Sequence, residues 1–169
     1  MRLPHEVSPL LRALCGAFKG LLDSHATLIE KEEMYAVFEE KSTAAALSIL
    51  SIGLSRLATR LTVSAEEQSH KILIRVSGER RTAGGALSYR DLLPKREKCR
   101  LALEGALAAN CMMYELKEDG HLLSLTVSLP RFLADRYDVC AVNNESICNI
   151  FYDMMLFLSG DTPKNPLPL

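Results

Sequence analysis

Few side chains in this sequence stand where chemistry would need them. His5-Glu6, followed by Ser8-Pro9-Leu10, puts an imidazole early in the chain, and a ring nitrogen can accept a phosphoryl group. Glu39-Glu40 and Glu66-Glu67 have the composition of acid–base pairs, but nothing beside them marks a pocket, so exposed charge is the plainer reading. Gly84-Gly85 is a glycine pair in a long connection, open to a phosphate-binding loop but explained as well by a turn. Arg80, Arg81, Arg90, Lys95, Arg96, Lys98 and Arg100 make a locally basic stretch. It reads as a solvated loop and helix start, or as a patch that gives charge-assisted hydrogen bonds to an anion or acidic partner. Cys15, Cys99, Cys111, Cys140 and Cys148 include no CxxC pair, and the histidines are scattered. Reduced, buried thiols are therefore expected, and no metal site.

Composition narrows the classes. A chain of 169 residues holds one domain with a full core. Its 48% apolar and 24% charged residues are those of an ordinary soluble globular protein. A net charge of −1 argues against a nucleic-acid binder working through a basic surface. Apolar runs are broken by Ser, Arg or Gly, so none spans a bilayer, and MRLPHEVSPLL lacks the apolar segment of a signal peptide. The expected location is cytoplasmic, with no membrane and no nucleic acid as partner.

The elements follow from periodicity. Ser8-Pro9 opens a helix with the stripe Leu10, Leu11, Leu14, Phe18, Leu21 and Leu22. ATLIEKEE and MYAVFEEK predict two short strands in a hairpin or meander. Residues 42–61, STAAALSILSIGLSRLATRL, predict the central helix, capped by Ser42 or Thr43 and covered on more than one side. VSAEEQS reads as a loop, HKILIRVSG as a strand, residues 79–95 as an irregular connection and REKCRLALEGALAAN as a helix. MMYELKED and HLLSLTVSLP form a hairpin about Asp119-Gly120. YDVCAV reads as one more strand. Asn144 caps a last helix carrying Ile147, Ile150, Phe151, Met154 and Leu158, closed by Gly160. That stripe means core packing or a dimer or partner interface. The organisation expected is one domain over 1–130, a strand/helix extension over 131–160 packed on it, and a proline-rich disordered tail over 161–169. The class is α+β.

That order, with the wording SILSIGLSRLATRLT for the central helix and the helix–hairpin unit REKCRLALEGALAANCMMYELKEDGHLLSLTVSLP, resembles the ATP-binding domain of sensor histidine kinases, the GHKL or Bergerat fold. The resemblance covers about residues 8 to 130. It implies a two-layer α/β sandwich, a mixed sheet with helices 42–61 and 97–109 layered on one face. It also implies a site this chain does not spell out. In the family motif resembling "LxxVLxNLLxNAxKxT", the Asn that holds Mg²⁺ falls on Leu57 and the earlier Asn on Gly53. Leucine offers no hard oxygen ligand. No asparagine precedes Asn110, and no aspartate lies between Asp23 and Asp91 to serve as the adenine-binding D-x-G. The span after HKILIRV is short for a second strand and lid, and Gly84-Gly85 is the glycine pair nearest the lid position.

The expected function is therefore a non-catalytic signalling domain with a degenerate ATP site and no cofactor. It acts through a protein partner of a two-component-type pathway, with a homodimer as one form. One alternative is an ATP-binding, histidine-kinase-type domain in which Glu66, Glu67 or Glu79 replaces the missing oxygen ligands. Another is phosphotransfer through His5, which resembles the "HExxxPL" phosphoacceptor box one residue short. For His5 the plainer expectation is a solvent-facing side chain near a terminus.

Overall fold

The computed structural model describes residues 1–21, 25–30, 33–81, 93–133 and 138–159. In chain order the elements are β1 (Leu3–Glu6), α1 (Ser8–Leu21), β2 (His25–Ile29), β3 (Tyr35–Phe38), α2 (Glu40–Leu57) and β4 (Arg60–Glu67). They continue with β5 (Lys71–Glu79), α3 (Glu97–Asn110), β6 (Met113–Asp119), β7 (Leu122–Pro130) and α4 (Asn144–Leu158). Five strands form a mixed sheet in the order β2-β4-β5-β7-β6, and β1 pairs with β3 apart from it. β2 runs parallel to β4 with α2 in the crossover, while the remaining pairs are antiparallel. This is the expected α+β sandwich with its helices on one face.

Alternation fixes which face they cover. Val63 of β4 stands opposite Val76 of β5, Val76 opposite Leu125 of β7, and Leu125 opposite Leu116 of β6. All four are buried. One residue along, the row Thr62, Ser77, Ser124 and Lys117 crosses the same strands on the open face. A slip of one residue would exchange the two rows, so burial of the apolar row pins the register.

α2 sits at the centre of the helical layer. It touches β5 and β7 below, with α1 and α3 beside it and α4 along it. Every residue from Thr43 to Ser55 is buried, where a surface helix keeps a polar stripe in water. Its serines accommodate this by turning inward on the helix: Ser48 Oγ donates to the Ala44 carbonyl at 2.9 Å and Ser51 Oγ to the Leu47 carbonyl at 2.6 Å. α4 supplies much of the cover. Ile147, Ile150, Phe151, Met154 and Met155 are buried, and the helix packs on α1 and α2. The stripe read as core or interface is thus turned inward, with Leu158 half-buried at its end.

Several local expectations are corrected. α2 spans Glu40–Leu57, and its cap is the Glu39 carboxylate, which accepts from the amides of Lys41 and Ser42, so neither Ser42 nor Thr43 caps it. The helix stops where Ala58 turns extended, ahead of the β-branched Thr59, Thr62 and Val63. Leu61 therefore belongs to β4, and the supposed loop VSAEEQS is most of that strand: Leu61, Val63 and Ala65 are its buried members. β2 and β3 are not a hairpin but lie in different sheets. β1, absent from the sequence reading, exists through its pairing with β3. YDVCAV is not a strand in its described part, where Cys140 makes one isolated parallel bridge to His5. Gly84, Gly85, Gly160 and residues 161–169 lie outside the described residues.

Candidate functional site

The position at which the resemblance would put nucleotide chemistry is the C-terminal half of α2. Gly53 is buried there, and Leu57, the last helical residue, is half-buried against the core. The groups that gather at this end are arginines. Arg81 donates its backbone N–H to the Leu57 carbonyl at 2.7 Å and its Nε to the Ala58 carbonyl at 3.2 Å. Arg56 donates to the Leu158 carbonyl of α4 at 2.6 Å. Arg80 pairs with Glu118 at 3.5 Å. Cations at a helix C-terminus complement its carbonyl dipoles, which accounts for the arrangement structurally.

Magnesium needs several oxygen ligands in a tight shell. Among the described residues at this end, the side chains of Gly53 and Leu57 offer no oxygen. Glu66 and Glu67 end β4, six and seven strand steps beyond Arg60, or about 20–23 Å at strand rise. There they pair with Arg75 at 3.8 Å and with Arg131 at 2.5 Å. Glu79 is exposed at the end of β5, where its backbone carbonyl accepts the Thr59 N–H at 2.9 Å. Among the described residues no group of three or more His, Cys, Asp or Glu is placed to hold a metal ion. Grooves of about 440 and 620 Å³ lie elsewhere, between α1 and α4 and on the open sheet face, and neither is lined by Gly53 or Leu57.

His5 is not solvent-facing. It is 3% exposed, its ring 5.0 Å from that of Phe38, with Nδ1 3.1 Å from the Cys140 carbonyl oxygen and Nε2 3.6 Å from Glu40 Oε1. The basic stretch is dispersed: Arg96 lies over Phe157 at 4.9 Å, and Arg100 pairs with Glu97 and Glu104. Arg90 is outside the described residues. All five cysteines are free, with Cys15 and Cys99 buried. Burial pushes both thiols up, against the smaller opposing pull of Lys19 on Cys15 and of Arg96 and Lys98 on Cys99. No described helix is long and apolar enough to cross a membrane. Sequence reasoning missed Asn110, fully buried at the end of α3 and bonded to the Glu39 N–H, Ser42 Oγ and the Ala106 carbonyl. Its position at the end of the REKCRLALEGALAAN helix was the available signal.

No sequence-family profile matches the chain, and no curated protein matches it in sequence. Solved structures do. The ATP-binding domain of PrrB from Mycobacterium tuberculosis matches with a TM-score of 0.58 and 14% identity, over 78% of this chain and 98% of that one. The histidine kinase domain of the E. coli osmosensor EnvZ matches with a TM-score of 0.57 and 13% identity, over 80% and 92%. A histidine kinase from Burkholderia phymatum matches with a TM-score of 0.57 and 19% identity, over 77% and 71%. At these identities the likeness is one of architecture: the chain has the GHKL-like fold of sensor histidine kinase ATP-binding domains.

Proposed function

We propose that this chain is a non-catalytic signalling domain, one that keeps the architecture of a histidine kinase ATP-binding domain without its Mg-ATP chemistry and works through contact with a protein partner. One observation carries the reading. α2, the helix on which that chemistry would depend, is buried from Thr43 to Ser55 and bears glycine and leucine where the resemblance asks for amide oxygens. Arg56 and Arg81 stand at its C-terminal end. A side chain that offers no lone pair cannot hold a hard cation, and α4 lies along the helix that would have to face the nucleotide. Phosphotransfer at His5 is not favoured, because both ring nitrogens face oxygens of the same chain in a buried position.

The test is thermal unfolding of the protein with and without millimolar Mg-ATP, backed by calorimetric titration. A ligand binding only the folded state at 100 times its Kd adds about 2.7 kcal/mol, which is readily seen. The expected result is no shift and no heat. A Mg²⁺-dependent shift would overturn the reading.

A further inference from the structure

The helices lie on one face of the sheet, and the other face carries a groove of about 620 Å³ across β5, β7 and β6. Of these three strands β7 is the middle one. Its open-face residues Thr126 and Ser128 are short and uncharged, and charge stands on either flank. In one row across the strands Arg75 stands opposite Thr126, and Thr126 opposite Glu115. In the next row Leu73 stands opposite Ser128, and Ser128 opposite Met113. Arg75 and Glu115 are exposed, Met113 is 73% exposed, and Leu73 is half-buried.

This pattern is its own complement. Two sheets that pack face to face keep their strand directions within about 30° of each other. A two-fold axis along β7, midway between two such sheets, carries β5 of one copy over β6 of the other without shifting any residue along its strand. Arg75 then meets Glu115 of the second copy and Leu73 meets its Met113, and each contact occurs twice. The middle strand sets Thr126 on Thr126 and Ser128 on Ser128, which are small enough for close approach. Centred on the same row, an axis across the strands would instead set Arg75 against Arg75 and Glu115 against Glu115. Charge therefore favours the first arrangement. Arg75 already lies 3.8 Å from Glu66 of β4, and a guanidinium has donors enough for two carboxylates. Farther along, Glu79 and Asp119 flank Leu122 in one row. The same axis would bring these acids together, so the overlap ends short of them, where the crossed sheets diverge.

We propose that the open sheet face is a homodimer interface: a second copy docks across β5, β7 and β6 about an axis along β7, with Arg75 and Glu115 as reciprocal partners. This contact between copies stands whichever way the Mg-ATP test falls. Three strands make a small contact for a specific complex, so association is weak and belongs in the micromolar range.

The experiment is sedimentation equilibrium of the full chain without nucleotide, at about 5 to about 500 µM, a range that brackets a micromolar Kd. Wild type should pass from monomer to dimer. Arg75→Glu and Glu115→Arg, each checked for a wild-type unfolding midpoint, should weaken dimerisation about tenfold or more, because each sets like charges together twice. An equimolar mixture of the two variants should recover the wild-type dimer, since one then brings only acidic and the other only basic groups to the two contacts. Within one chain β7 separates the two residues, so recovery in the mixture comes from contact between copies. Should a reversal fail to fold, Thr126→Lys takes its place: it puts two cations face to face on the axis and should abolish the dimer. Wild type that stays monomeric overturns the proposal and leaves the face to a different protein. A dimer unchanged by the substitutions overturns it too, placing the contact elsewhere, and so does a mixture no better than its components.

Discussion

The side-chain oxygen of Asn110 accepts the backbone N–H of Glu39 at 2.7 Å, across 71 residues of sequence. It joins the last residue of α3 to the cap of α2, while its amide nitrogen donates to Ser42 Oγ and to the Ala106 carbonyl, both at 2.9 Å. A fully buried amide with each polar atom satisfied locks the two helices in one axial setting.

Replacing that residue leaves the part-buried Glu39 N–H and Ser42 hydroxyl without that partner. Asn110→Ala should lower the unfolding free energy by about 2–3 kcal/mol, measured by urea denaturation. A loss under about 0.5 kcal/mol would mean that water enters and replaces the amide.

Glu39 makes a pH-dependent contribution of known sign. Burial raises its carboxyl, but the hydrogen bonds from Ser42 and Lys41 outweigh this and hold it below the ordinary 4.5. A depressed folded-state value stabilises the fold above the unfolded value and loses that effect as pH falls through the folded one. Glu39→Gln should therefore be less stable than wild type by about 1 kcal/mol near neutrality, with the gap closing as the solution is acidified below 4.5. Denaturation at a series of pH values checks it.

At Gly78 the reason for glycine is space. A Cβ there would lie 2.8 Å from Ala58 Cβ and 2.9 Å from the Arg60 carbonyl oxygen, at the joint where α2 hands over to β4. Gly78→Ala should cost about 1–3 kcal/mol of stability, seen as a lower unfolding midpoint, whereas Gly105→Ala meets no neighbour and sits in a helix, where alanine is the better former.

The thiols should separate by rate. Cys111 and Cys148 are exposed, Cys140 is half-buried, and Cys15 and Cys99 are buried with raised pKa values. Titration of the native protein with a thiol reagent at neutral pH should modify Cys111 and Cys148 first and leave Cys15 and Cys99 untouched until the chain unfolds. Fast labelling of Cys99 would show that α3 opens locally.

Much of this architecture was legible before any coordinates. The apolar spacing of α2, the alternation of β5 and the Asp119-Gly120 hairpin each declare themselves within a few residues. β4 did not, because Leu61 continues the helical spacing of Leu54 and Leu57 as well as it begins a strand. Assigning it to the helix left Val63 and Ala65 among polar neighbours. β1 and the parallel pairing of β2 with β4 are decided by partners far along the chain, which local pattern does not encode. At the candidate site, the missing asparagines and aspartates could be read directly. The enclosure of α2 could not, since the stripe on α4 has the same spacing whether it faces its own core or another chain.

That enclosure shapes how this chain tolerates change. A helix packed on one side alternates between permissive and forbidden positions with its own turn. Along Thr43–Ser55 there is no outward side to provide the permissive half, so a substitution scan should find a nearly unbroken intolerant block. α3, with only Cys99, Ala106 and Asn110 buried, should show the ordinary rhythm. Variation, and any tag or dye meant to leave the fold intact, belongs on α3.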